Sequence, residues 1–171
     1  PAPRTFEPAA VIALDLAASS GLGAKAPAGF VLAHGRTRLL LDLGRAGGMA
    51  PDPAQIGRVD AVLLSHQHPD HCAALDLLAA LGAPPLYATA AVAGWLGLTA
   101  HPLPLSGQVT VGDFTLTTGR NGHAPGGVWL HLAAGGGDTL FYAGDIVPDS
   151  PAFPFDSPPR ARVAILDASY G

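Results

Sequence analysis

Short apolar runs separated by glycine and proline are the feature that most constrains how this chain folds. The sequence holds 22 glycines and 17 prolines among 171 residues, and 49% of its residues are hydrophobic. Short apolar runs between such breakers favour β-strands over long helices. The pattern predicts strands at residues 11–16, 29–33, 37–43, 60–65, 85–88, 109–111, 114–118, 128–133, 139–143 and 162–167.

Helical spacing occurs in only two segments between these strands. Apolar residues three and four positions apart predict a helix over residues 70–81 that ends at Gly82. Thr89 has a side chain favoured at helix N-caps and predicts a second helix over residues 89–96. The apolar face of the first helix comprises Ala73, Leu77, Leu78 and Leu81. Because no internal repeat is present, we expect one α/β domain over residues 1–171, with helices packed outside the sheets.

The composition of the chain excludes several functional classes. A net charge of −4 with nine lysines and arginines provides no general basic surface for nucleic acid. Cys72 is the only cysteine, which excludes a disulfide scaffold. No apolar run approaches the roughly 18 residues that cross a bilayer, and residues 1–7 lack the features of a signal peptide. A cytoplasmic protein with no membrane contact is expected.

A histidine-rich segment follows the predicted strand over residues 60–65. It reads Ser65-His66-Gln67-His68-Pro69-Asp70-His71, so that three of the seven histidines fall within six positions. Residues two apart in an extended chain point to the same side, and a turn at residues 70–71 can fold back toward them. Imidazole nitrogens and a carboxylate are ligands that zinc prefers. The segment therefore predicts a metal site rather than a polar surface loop.

This segment resembles the His-x-His-x-Asp-His signature of the metallo-β-lactamase superfamily. Three further motifs of that family follow the same order along the chain, and the resemblance spans roughly residues 11–171. They are Asp42-Leu43-Gly44, Gly122-His123 and Gly144-Asp145. The resemblance implies an αββα sandwich and a metal-dependent hydrolase.

The resemblance also implies a set of metal ligands and their roles. It assigns a first zinc to His66, His68 and His123, a second zinc to Asp70 and His71, and a bridging role to Asp145. Two such cations would activate a hydroxide for attack on the substrate, and Asp70 would also act catalytically by orienting it. Asp42 has two interpretations that the sequence leaves open: a residue that holds a ligand in place, or a turn residue at a strand end.

The chain departs from the family pattern near its end. The family's last metal-ligating histidine follows a further strand, whereas no histidine occurs after His131. We therefore expect the sandwich to be incomplete at its C-terminus and the second zinc to be bound more weakly. We also expect a further segment, or another polypeptide, to complete the fold.

The residues around the motifs are most similar to the β-CASP branch of RNA-processing nucleases. The similar segments are His71-Cys72-Ala73-Ala74-Leu75, Gly122-His123-Ala124-Pro125-Gly126 and Leu166-Asp167-Ala168-Ser169-Tyr170-Gly171. This branch implies an exonuclease-like phosphodiesterase acting on RNA or DNA. Two alternatives stay open, namely a hydrolase of small thioester, lactone or β-lactam substrates and a non-catalytic subunit with a residual metal site.

Overall fold

The computed structural model describes residues 13–16 and 26–167, and these form two β-sheets. In the first sheet, β1 to β3 run antiparallel to one another, and β3 to β6 are parallel. Its strands, in spatial order, are β1 (Ala13–Leu16), β2 (Phe30–His34), β3 (Thr37–Leu41), β4 (Ala61–Leu63), β5 (Leu86–Ala88) and β6 (His101–Pro102). The predictions for residues 1–7, 11–12 and 168–171 lie outside the described residues.

The second sheet has the spatial order β11-β10-β9-β8-β7. Its neighbours are antiparallel, except that β11 runs parallel to β10. Its strands are β7 (Gly107–Val111), β8 (Phe114–Arg120), β9 (Val128–Ala133), β10 (Thr139–Tyr142) and β11 (Val163–Ile165). The structure thus contains strands at all the predicted positions, with ends that differ by a few residues, and adds β6.

The inner faces of the two sheets pack against each other and form the main core. Leu39 and Leu41 of β3 share one buried cluster with Leu116 and Leu130 of the second sheet. Leu40, between them, points to the opposite side and joins a different buried cluster. This alternation follows from the two-residue period of a strand and explains why β3 is apolar on both faces.

Three short helices accompany the first sheet: α1 (Pro53–Ile56), α2 (Pro69–Cys72) and α3 (Ala90–Leu96). The prediction for α3 is confirmed, because the Thr89 hydroxyl accepts a hydrogen bond from the Val92 amide at 3.3 Å. Ile56, Cys72 and Val92 pack on the outer face of the first sheet. Within the described residues, no helix is both long and apolar enough to cross a membrane.

The αββα sandwich is incomplete among the described residues, as expected from the family pattern, and a connector covers the outer face of its second sheet. Trp129 and Phe141 pack there against Phe155 and Ala161, which belong to a connector without helices between β10 and β11. Among the described residues, helices therefore cover only one side of the sandwich. Trp129 serves packing as expected of a tryptophan, whereas Trp95 on α3 is 75% exposed.

The prediction of one helix over residues 70–81 is wrong. The α-helix ends at Cys72, and a separate 3-10 turn spans Leu75–Ala79. The carbonyls of Asp70 and His71, which would accept the next helical bonds, instead accept the amides of Ala28 (2.7 Å) and Leu43 (2.9 Å). The amide of Ala74 in turn donates to the Leu43 carbonyl at 3.0 Å. Bonds to a neighbouring loop thus replace the second helical turn.

Of the residues predicted for the face of that helix, only Leu81 is fully buried. Leu77 and Leu78 are half-buried against the first sheet, and Ala73 is exposed. The apolar spacing therefore identified a segment that packs on the sheet, although not its backbone conformation.

Candidate metal centre

The six predicted site residues and Asp42 meet at one edge of the sandwich, in loops that follow four strands. The segment from His66 to His71 follows β4, His123 follows β8 and Asp145 follows β10, while Asp42 follows β3. β3 and β4 are parallel neighbours in the first sheet, and β8 and β10 both pair antiparallel with β9 in the second. Their C-terminal ends therefore open onto a shared edge, where the loops converge.

The first ligand group contains three imidazoles and a carboxylate. The Nδ1 atom of His68 lies 3.1 Å from His66 Nε2 and 3.0 Å from His123 Nε2. Asp145 Oδ2 lies 3.4 Å from His123 Nε2 and 3.8 Å from His66 Nε2. Tetrahedral zinc with bonds of about 2.0–2.1 Å to nitrogen places its ligands about 3.3 Å apart. The donor set and its spacing fit such an ion.

The second ligand group contains Asp70, His71 and Asp145. The Nε2 atom of His71 lies 3.0 Å from Asp145 Oδ1 and 3.4 Å from Asp70 Oδ2. Asp145 thus directs one carboxylate oxygen at each group. Such a division is the arrangement expected of a carboxylate shared by two cations. All six predicted residues are therefore brought together in the two groups that the family resemblance implied.

Asp42 lies beneath both groups as a fully buried anchor. Its carboxylate accepts hydrogen bonds from the Ser65 amide (2.7 Å), the Ser65 hydroxyl (2.6 Å), His71 Nδ1 (2.7 Å) and the Tyr142 hydroxyl (2.6 Å). Its backbone adopts φ of +59°, a conformation uncommon outside glycine. Of the two interpretations of Asp42, the structure supports the one in which it holds a ligand in place.

These hydrogen bonds also assign the protons of two histidine rings. The single proton of the Ser65 hydroxyl goes to Asp42, so His66 Nδ1 must donate to Ser65 Oγ, 3.0 Å away. His71 Nδ1 likewise donates to Asp42. The Nε2 atoms of His66 and His71 are then the ones that face the ligand groups, as metal binding through neutral imidazoles requires.

The electrostatic field of the site favours a bound cation. Burial would lower the pKa of His71, yet the charge of Asp42 and the hydrogen bond to Asp145 raise it to about 10. Burial, and then the charge of His71, lowers the pKa of His66 to about 3. Burial would raise the pKa of Asp145, but its hydrogen bond with His71 holds it well below the usual range. The carboxylates that stabilise the protonated imidazole of His71 would attract a metal cation in the same way.

The Asp-x-Gly motif has a steric explanation. A Cβ atom at Gly44 would lie only 1.6 Å from the carbonyl oxygen of Asp70. The loop after β3 therefore approaches the ligand segment more closely than any side chain allows. The absence of a side chain at Gly44 thus allows the loop to place Asp42 within hydrogen-bond distance of His71.

Tyr142 is a functional residue that sequence reasoning missed. It ends β10 and donates to Asp42 across the interface between the two sheets. Burial, followed by the nearby charge of Asp42, raises its pKa well above the usual value, so that it stays protonated as a donor. The one signal that could have found it is that a tyrosine within an apolar strand generally needs a hydrogen-bond partner once buried.

Cys72 and the remaining histidines belong to neither ligand group in the described residues. The Cys72 thiol donates to the Gln67 carbonyl at 3.2 Å, and burial raises its pKa to about 11. His34 packs against Phe114, and His101 stacks on Tyr87. Cys72 therefore acts as a packing residue next to the site.

Comparison with known proteins identifies the family. The model of the β-lactamase superfamily domain matches residues 37–170, which include every residue of both ligand groups. This chain belongs to the β-lactamase superfamily. The resemblance drawn from the four motifs is thereby confirmed.

A ribonuclease is similar to this chain over most of the length of the chain. A ribonuclease of Thermus thermophilus is 32% identical over 179 aligned positions, covering 82% of this chain. The match covers 40% of the ribonuclease, so this chain spans less than half the length of that relative.

Solved structures support the fold of the superfamily. A motif mutant of a metallo-β-lactamase from Cronobacter sakazakii has a TM-score of 0.58 at 20% identity and covers 73% of this chain and 59% of its own. The metallo-β-lactamase fold protein YhfI of Bacillus subtilis has a TM-score of 0.52 at 24% identity and covers 70% and 54%. These likenesses confirm the metallo-β-lactamase fold.

Proposed function

We propose that this chain is the metal-binding part of a zinc-dependent phosphodiesterase of the nuclease type, acting on RNA or DNA. The observation that carries the proposal is the pair of ligand groups that share Asp145. Two-cation sites are well suited to phosphodiesters, because such sites stabilise both the attacking and the leaving oxygen of the displacement at phosphorus. The similarity to a ribonuclease supports nucleic acid as the substrate class.

The side chains of the site would have distinct roles. His66, His68 and His123 would hold one zinc ion, Asp70 and His71 the other, and Asp145 would bridge them. When bound, the ions supply Lewis acidity, which lowers the pKa of a coordinated water and polarises a phosphoryl oxygen. Asp70, on the first turn of α2, would accept a hydrogen bond from the attacking water and orient it.

The edge of the second sheet supports the proposal that a further segment or another chain completes the protein. Among the described residues β11 is an edge strand of that sheet, and Val163 within it and Leu166 just after it are 44% and 61% exposed. An exposed sheet edge with apolar side chains is readily covered by another strand. We propose that the covering polypeptide also supplies contacts to the nucleic acid.

A hydrolase of small thioester, lactone or β-lactam substrates is the second candidate. The pairing of arginines favours it, because Arg45, Arg120 and Arg162 are engaged by the carboxylates of Asp76, Asp156 and Asp138. Those cations are therefore partly neutralised and less available to a polyanion. A small substrate would not require them.

One experiment separates the candidates. The zinc-loaded protein is assayed on single-stranded RNA and, in parallel, on a thioester panel and a chromogenic β-lactam. We expect RNA cleavage that falls sharply in Asp70→Asn, with His101→Ala as a control outside the ligand groups. Turnover of a thioester without RNA cleavage would favour the second candidate. A metal-free folded protein without either activity would contradict both.

A further inference from the structure

We propose that Asn121 is a positioning residue that sets the reach of His123 into the first ligand group. The inference rests on the proposed metal site and adds a residue to which no role has been given. Asn121 is the only asparagine in the chain, and it lies directly after β8 at the start of the loop that carries His123.

The side chain of Asn121 organises the turn from within. Its Oδ1 atom accepts hydrogen bonds from the amides of His123 (3.0 Å) and Ala124 (3.3 Å). A side-chain oxygen that accepts amides two and three residues ahead fixes the backbone of those residues. The hydrogen bond from its amide thereby fixes the backbone of His123, so the position of the imidazole does not depend on contacts of the ring alone.

The backbone of Asn121 ties the same loop to its surroundings. Its amide donates to the Gly127 carbonyl at 3.2 Å, which closes the loop, and its carbonyl accepts the Val147 amide at 3.0 Å. Val147 lies two residues beyond Asp145, so one residue connects the loops that carry two members of the ligand group. The spacing of 3.4 Å between His123 Nε2 and Asp145 Oδ2 depends on that connection.

The backbone of the loop packs closely against the side-chain amide of Asn121. Asn121 is completely buried, and a Cβ atom at Gly127 would lie 2.5 Å from its Nδ2 atom and 2.7 Å from its Oδ1 atom. Its Nδ2 atom has no hydrogen-bond partner among the described residues, although it is buried. A buried donor without a partner costs free energy of folding. The role of Asn121 in the loop therefore depends on its side-chain oxygen and not on its side-chain nitrogen. The chemistry required at this position is a short, neutral or acidic oxygen acceptor.

Zinc affinity of the full chain, measured by competition with a chromogenic chelator, tests the proposal. Asn121→Leu keeps the branched outline of the side chain but removes the acceptor, and we expect its affinity to fall about 10- to 100-fold, as for other residues that orient metal ligands. Asn121→Asp keeps the oxygen and should restore most of the affinity. The visible spectrum of bound Co²⁺ should change in Asn121→Leu and return toward that of the unaltered protein in Asn121→Asp.

Thr118→Val is the matched control. Thr118 is buried on β8, the strand that leads to Asn121, and within the described part of the chain its hydroxyl donates to the Pro104 carbonyl at 2.6 Å rather than to the loop that carries His123. It should lose stability without losing zinc affinity, and an equal loss of affinity in both variants would overturn the proposal. If Asn121→Leu does not fold, Asn121→Ala carries the same test.

The remaining outcomes separate this inference from the proposed function. A folded Asn121→Leu with unaltered zinc affinity and Co²⁺ spectrum would overturn the role of Asn121 alone. Failure of the unaltered protein to bind zinc would overturn the proposed metal site itself.

Discussion

Replacing Asp42 by asparagine tests how much of the fold depends on one buried carboxylate. The substitution is nearly isosteric but gives the residue one acceptor and one donor in place of two acceptors. Oδ2 of Asp42 accepts three of its hydrogen bonds, from Ser65, His71 and Tyr142, and Oδ1 accepts the Ser65 amide. If the asparagine oxygen takes the Oδ2 position, the NH₂ group of the asparagine faces the Ser65 amide, so that two donors lie opposite each other. The opposite orientation turns the NH₂ group toward three donors.

The magnitude follows from these contacts. An unsatisfied buried amide costs about 1–3 kcal/mol, and three bonds to a charged acceptor become weaker bonds to a neutral one. Relief from burying a charge offsets part of the loss. We expect a net destabilisation of about 3–5 kcal/mol in the metal-free protein, the range found when one partner of a buried ion pair is removed. With a urea slope of about 2 kcal/mol/M, the unfolding midpoint should fall by about 2 M.

Urea unfolding of chelator-treated protein at pH 7, followed by circular dichroism, measures this loss. Tyr142→Phe is the control, because it removes a single donor and leaves the carboxylate with its other partners. It should cost about 1–2 kcal/mol. A midpoint for Asp42→Asn that is unchanged, or no lower than that of Tyr142→Phe, would refute the reasoning that Asp42 anchors the site.

Three further outcomes are expected. His68→Ala should reduce zinc below one per chain by elemental analysis after mild dialysis, whereas His101→Ala should leave it unaltered; retention of zinc by His68→Ala would contradict the first ligand group. The Cys72 thiol, with a pKa raised to about 11 by burial and then by nearby carboxylates, should react with iodoacetamide at pH 8 far more slowly in the folded protein than in urea, and equal rates would contradict its packing. Hydrogen bonds from the Arg36 amide and the Thr37 hydroxyl lower the pKa of Asp113, so its contribution is present above the unfolded pKa of about 3.9 and is lost as the pH falls through the lower folded value. Asp113→Asn should therefore lower the urea midpoint at pH 7, and its difference from the unaltered protein should shrink as the pH falls below about 3.9; a difference that does not shrink in acid would count against this contact.

The local parts of the fold and site could be predicted from the sequence. Strand positions follow from short apolar runs between breakers, and the Thr89 cap follows from a bond that reaches three residues ahead. Four candidate ligands occur within six positions, from His66 to His71, so their proximity needs only a strand end and a turn. For His123 and Asp145, the order of family motifs supplied what local pattern could not.

Tertiary structure alone decided which groups support those ligands. Asp42 meets Tyr142, one hundred residues away, because the two sheets pack face to face, and no local pattern encodes that contact. The helix predicted beyond Cys72 is absent because Ala28 and Leu43 take up the carbonyls that would have continued it. Helical spacing records which side chains are apolar, whereas the partner of a backbone carbonyl depends on which distant segment comes within about 3 Å of it. The sequence thus determined the candidate ligands of this protein, and long-range hydrogen bonds determined how they are held.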